Sequence, residues 1–106
     1  MWTAPEDLDP ECRPLCQALN TIDGLQTVES CCGHGQWDYY ITFDATWTAL
    51  ERLRRTVDQV DGWVITTRSY WYCLLGPTGE PAYKTSLMLA GLITGEVAAL
   101  GPERSA

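Results

Sequence analysis

The stretch Trp37-Asp38-Tyr39-Tyr40-Ile41-Thr42-Phe43 decides the fold. Trp37, Tyr39, Ile41 and Phe43 alternate with Asp38, Tyr40 and Thr42. A period of two, with one row fully apolar, predicts a strand that lays one face on a core. Upstream, Leu25 to about Glu29 predicts a second strand, and Ser30–Gly35 closes the two into a hairpin with a wide, glycine-containing tip. Downstream the period changes. Trp47, Leu50, Leu53, Val57 and Val60 recur at three- and four-residue spacing, the stripe of a helix capped by Asp44 or Thr46.

Working outward, Asp9 followed by Pro10 predicts a helix start, with Asp9 as N-cap and the helix running to about Asn20. Cys12, Leu15, Cys16 and Leu19 share one face of it, and Asp23-Gly24 turns the chain. Trp63–Leu75 is rich in β-branched and aromatic residues, too long for one strand, and splits into a hairpin near 68–70. Gly76-Pro77-Thr78-Gly79 breaks the chain before a last helix from near Glu80 to 98–100, ended by Gly101-Pro102. The order is α-β-β-α-β-β-α. Hairpin-linked strands pair antiparallel, so the expectation is an α+β two-layer sandwich: a four-stranded, mainly antiparallel sheet with three helices. Residues 9–100 form its single domain, with an arm at 1–8 and a tail at 101–106.

The chain has 106 residues and a formal net charge of −7, with only seven Lys and Arg. Binding to duplex nucleic acid needs cations spread against phosphates, so that partner is excluded. The longest apolar run, Leu87–Ile93, is too short to span a bilayer, and no signal-peptide pattern opens the sequence. A membrane partner is therefore not expected, and the expected location is the cytoplasm. Five cysteines, two of them adjacent, do not form a secreted disulfide framework; core, metal ligand or reactive thiol are the roles that remain.

The chemistry concentrates in Ser30-Cys31-Cys32-Gly33-His34-Gly35, which holds the only histidine. Gly33 and Gly35 permit positive φ and close approach of a ligand, and successive amides there suit an anion. If the protein is an enzyme, Cys31 is the nucleophile and His34 its base. No cofactor is required, but zinc is a candidate: Cys12 and Cys16, four apart on one helix, join Cys32 and His34 if the hairpin tip folds back. Thr78 and Gly79 precede a helix N-terminus, which favours an anionic group. Tyr40 and Tyr72 offer stacking surfaces and Arg68 a cation. The bland readings stand beside these: a tight hairpin tip, small buried thiols and an ordinary helix cap.

Pro14-Leu15-Cys16-Gln17-Ala18-Leu19-Asn20, Gly24-Leu25-Gln26-Thr27 and Glu29-Ser30-Cys31-Cys32-Gly33-His34-Gly35 together resemble the opening of the third wybutosine-synthesis protein family. That family opens with a helix ending in Leu-Asn, a Thr-bearing strand and a Ser-Cys-Ser-Gly-Arg loop. The resemblance covers about the first third of the chain and implies S-adenosylmethionine-dependent modification of a tRNA guanosine. Ser30, Cys31 and Gly33 fit the family loop; Cys32 stands where it has Ser and His34 where it has Arg. The sequence also resembles small phage-type proteins that carry the Ser-Cys-Cys-Gly-His-Gly loop itself. The expected function is binding or sequestration of a small anionic, nucleotide-like ligand by Ser30, Cys31, Cys32, Gly33, His34, Gly35, Tyr40, Arg68, Tyr72, Thr78 and Gly79. The alternatives are Cys31/His34 enzyme chemistry related to that tRNA modification, and inhibition of a host protein through the surface. The apolar segment in the 83–98 helix predicts a homo-oligomer.

Overall fold

The computed structural model describes residues 9–100, so the expected arm and tail lie outside the described residues. The elements are α1 (Arg13–Leu19), β1 (Leu25–Cys31), a 3-10 turn (Gly33–Gly35), β2 (Asp38–Ala45), α2 (Trp47–Val57), β3 (Val64–Arg68), β4 (Trp71–Thr78) and α3 (Glu80–Leu100). The four strands form one antiparallel sheet in the order β1-β2-β4-β3. The fold is the expected α+β arrangement. The sheet is not a simple meander, because β2 passes through α2 to reach β3 on the far side of β4.

The alternation that defines β2 sets the core. Tyr39, Ile41 and Phe43 are completely buried, and their partners across the sheet, Leu74 and Tyr72, face the same way. Full burial of side chains this large contributes roughly 1.5–3 kcal/mol each. Leu15, Cys16 and Leu19 of α1, Leu50, Leu53 and Val57 of α2, and Leu89 and Ile93 of α3 cover them. Trp37 departs from the pattern. It precedes β2 and is 64% exposed, because Gly33's carbonyl accepts both the Gln36 and Trp37 amides and curls the chain there before the strand begins. Trp47 is likewise exposed rather than part of the α2 stripe.

Local chemistry places the joints. Thr46 caps α2, its Oγ1 accepting from the Ala49 amide at 3.2 Å, while Asp44 turns back to the Ala45 amide. Asn20 ties the end of α1 to β1: its Nδ2 donates to the Cys16 carbonyl and to Thr27 Oγ1, and its Oδ1 accepts from the Thr27 amide. The β1–β2 register shifts between Thr27 and Glu29. Buried Thr42 fills that irregularity, accepting from the Glu29 amide and donating to its carbonyl. β4 continues through Gly76-Pro77-Thr78, where a break was expected, because Gly76 lies under the Trp63 ring and no side chain is needed there.

Helix α1 starts later than the Asp9-Pro10 pair predicts. A tight turn comes first, with the Cys12 amide on the Asp9 carbonyl at 2.9 Å, and Pro14 sits in the first helical turn. The Asp9 carboxylate is spent elsewhere, on the amide of Cys32 at 3.1 Å. Among the described residues, no helix is long and apolar enough to cross a membrane.

Candidate metal centre

Strand alternation sorts the cysteine loop. Ser30 pairs with Ile41 and so faces the helices, whereas Cys31 pairs with Tyr40 and faces the uncovered side of the sheet. The chain leaves β1 at Cys31, and Cys32 is buried. Three successive residues then take left-handed backbone: Gly33 at φ 80°, His34 at 51° and Gly35 at 77°. At Gly33 glycine is required twice over, since a Cβ would also stand 3.1 Å from the Asp38 carbonyl oxygen. His34 holds its left-handed geometry as a non-glycine residue, a strain of the kind that clusters at functional sites.

This curl turns the loop amides onto the chain's own groups. Cys32 N–H donates to the Asp9 carboxylate, Gly33 N–H to Cys31 Sγ at 3.4 Å, and His34 N–H to Cys32 Sγ at 3.4 Å. The amides expected to hold an external anion thus already serve a carboxylate and two sulfurs. Beside these amides lies a group of donor atoms. Cys32 Sγ lies 3.7 Å from His34 Nδ1, and ligand atoms of Asp9, Cys32 and His34 all lie within 4.8 Å of one another. Cys32 is buried, Asp9 half-buried and His34 exposed, so the cluster opens to solvent on the histidine side. Burial pushes the Cys32 thiol up; the His34 amide opposes that, and Asp9 and Glu11 add to it. Tyr83 of α3 lies against the same thiol and the Gly35 amide, and burial raises its hydroxyl as well.

Of the four residues expected to ligate zinc, Cys32 and His34 are in this cluster and Cys12 and Cys16 are not. Both helix cysteines point into the core beside Ser30, and Cys12 also reaches Tyr39. Burial pushes Cys12 up to about 12 and Cys16 up to about 11, so they are neutral thiols that pack as small apolar groups. Asp9 is the member of the cluster that the sequence reading missed. No local pattern points from residue 9 to residue 32; only the tertiary contact does.

The remaining residues of the expected ligand set are dispersed. Tyr40 and Arg68 do meet, on the uncovered face of the sheet, with the guanidinium 5.7 Å from the ring centroid. Tyr72 is on the other face, packed on Phe43 at 5.7 Å. Thr78 donates to the Asp38 carboxylate at 2.9 Å, and Gly33 packs on the Asp38 main chain, so the end of β4 is a neighbour of the loop. Gly79 opens α3 with its carbonyl taken by the Ala82 and Tyr83 amides. Cys31 and His34 do not form a nucleophile–base pair: the thiol at His34 Nδ1 is that of Cys32.

No family model matches the chain, and neither a curated protein nor a solved structure matches it. The functional reading therefore rests on the site.

Proposed function

We propose that this protein is a metal-binding module that holds a zinc ion between Asp9, Cys32 and His34. The observation that carries the reading is the convergence of three different ligand types within 4.8 Å from two segments far apart in sequence. A thiolate, an imidazole and a carboxylate are the donors zinc takes, and three protein ligands leave the fourth tetrahedral position open. The His34 amide on Cys32 Sγ supports the charged form of the sulfur. The left-handed turn at His34 and the burial of Cys32 hold the two side chains beside each other before the ion arrives, which limits the ordering cost of binding.

The test is elemental analysis and native mass spectrometry of the full chain, purified without chelator from zinc-replete cells. One zinc per chain is expected. His34→Ala and Cys32→Ser should lose it while keeping the far-ultraviolet circular dichroism of the wild type. A wild-type chain free of stoichiometric metal under those conditions overturns the reading.

A second reading rests on a separate observation, Arg68 stacked over Tyr40 with Trp71 exposed nearby on the uncovered sheet face. A flat ring beside a cation suits a small nucleotide-like anion. Nucleoside monophosphates should then quench tryptophan fluorescence saturably, and Tyr40→Ala should remove the effect. Absence of quenching at millimolar nucleotide removes this reading and leaves the metal site untouched.

A further inference from the structure

The two edges of the sheet differ. β1 forms one edge, and its ladder is broken by the register shift between Thr27 and Glu29. β3 forms the other, and it pairs with β4 in unbroken register from Val64 to Arg68. Native sheets blunt an exposed edge with a bulge, a proline or a charge. β3 has no bulge and no proline, and its one charge is turned away. The Arg68 guanidinium reaches across β4 to lie 5.7 Å from the centroid of the Tyr40 ring on β2. Two residues, Ser69 and Tyr70, close the β3–β4 hairpin on the pair Arg68–Trp71, so Arg68, Thr66 and Val64 bond to β4. The amides and carbonyls of Ile65 and Thr67 therefore point out of the edge, and no group among the described residues takes them. Such a row of donors and acceptors is satisfied by the main chain of another strand.

The charge around this edge is unlike that of the rest of the chain. Residues 47–68, which run from α2 through β3, hold four arginines against Glu51, Asp58 and Asp61, a net charge of +1. The rest, with three cations and eleven acids, carries −8. α2 packs beside β3, and its Arg54 and Arg55 are exposed. Neither forms an ion pair among the described residues, where Lys84 with Glu80 is the one pair. An unblocked edge thus lies beside the one part of an acidic chain where cations gather.

We propose that β3 binds an extended, acidic segment of another protein, which joins the sheet as a fifth strand. Main-chain bonds to Ile65 and Thr67 hold the segment, and Arg54 and Arg55 attract its carboxylates. A second copy of this chain is the poorer occupant, because it sets the same basic edge against itself.

The experiment uses the full chain and a short fluorescent peptide of alternating valine and threonine flanked by glutamates. Anisotropy should report saturable binding that weakens as salt is added. The same peptide flanked by lysines should bind many-fold more weakly, and one N-methylated at alternate main-chain amides should not bind. Replacing both arginines, Arg54→Ala with Arg55→Ala, should weaken binding several-fold. Thr67→Pro, which removes an outward amide and leaves the bonds to β4, should abolish it with the far-ultraviolet circular dichroism unchanged. No binding of the acidic peptide overturns the proposal, as does equal binding of the lysine-flanked or N-methylated peptide. Loss of self-association in Thr67→Pro would put a second copy on this edge and overturn it as well.

Discussion

Cys12 and Cys16 set the residue scale, because their burial converts directly into a dependence of stability on pH. Both thiols are raised, chiefly by burial, Cys12 to about 12 from an ordinary 9.0. A thiol whose pKa in the fold exceeds its unfolded value retains its proton more strongly when folded. The fold is therefore fully stabilised below the unfolded value, and stability falls as the pH rises from there towards the folded one. Tyr39, raised by the same burial, acts in the same direction. The urea midpoint should thus be lower at about pH 10 than at about pH 8, and Cys12→Ala should shrink that difference. A midpoint that does not move between the two would contradict the burial of these thiols. The contrast with Cys32 is instructive. It belongs to the same buried cluster, yet it also receives the His34 amide and faces the His34 ring, contacts that Cys12 and Cys16 do not make.

At the scale of elements, two single atoms are predicted to matter. The Thr46 hydroxyl is the side-chain cap of α2, and Thr46→Ala should cost about 1 kcal/mol in chemical denaturation. Gly76 lies where an added Cβ would stand 2.6 Å from the Trp63 ring. That ring is buried and hydrogen-bonded to Thr85 at 2.7 Å, so it cannot swing away freely. Gly76→Ala should cost roughly 1–3 kcal/mol through overpacking; an unchanged melting temperature would show that the ring yields. These elements also mark how far the sequence is legible. The period of two at 38–43, the Thr46 cap and the split of 63–75 are local signals, and the strands and α2 follow them. Trp37 and Trp47 look apolar in sequence, yet both are exposed, since hydrophobicity does not say which side of a turn or helix start a ring will take. The site is half legible. The glycines around His34 announce an unusual backbone, and alternation through Ser30 and Cys31 would have put Cys31 on the wrong face for His34. The Asp9–Cys32 contact spans 23 residues, and nothing local encodes it.

At the scale of the whole molecule, α3 is the unresolved balance between core and surface. Ala82, Ser86, Leu89, Ala90 and Ile93 pack inward, but Leu87 and Met88 on the other side are 59% and 57% exposed, with Leu92 also exposed. A helix apolar on both sides is normally covered on both sides. Gly91 and Gly95 sit in the same exposed region with open space beyond their Cα atoms, so a second helix can approach the backbone closely there. The expectation that residues 1–8, with Trp2 and Leu8, cover that face falls on residues outside those described. A second copy brings an identical surface, and a two-fold crossing sets the Leu and Met side chains of each helix against the glycines of the other. The full chain is therefore expected to self-associate in sedimentation equilibrium at high micromolar concentration. Leu92→Glu should convert it to a monomer with unchanged far-ultraviolet circular dichroism, because that side chain is outside the core. Zinc content per chain should be the same in both forms, since Asp9, Cys32 and His34 all come from one chain. A wild-type chain that remains monomeric throughout that range removes the dimer and leaves the stripe to be covered from within the chain.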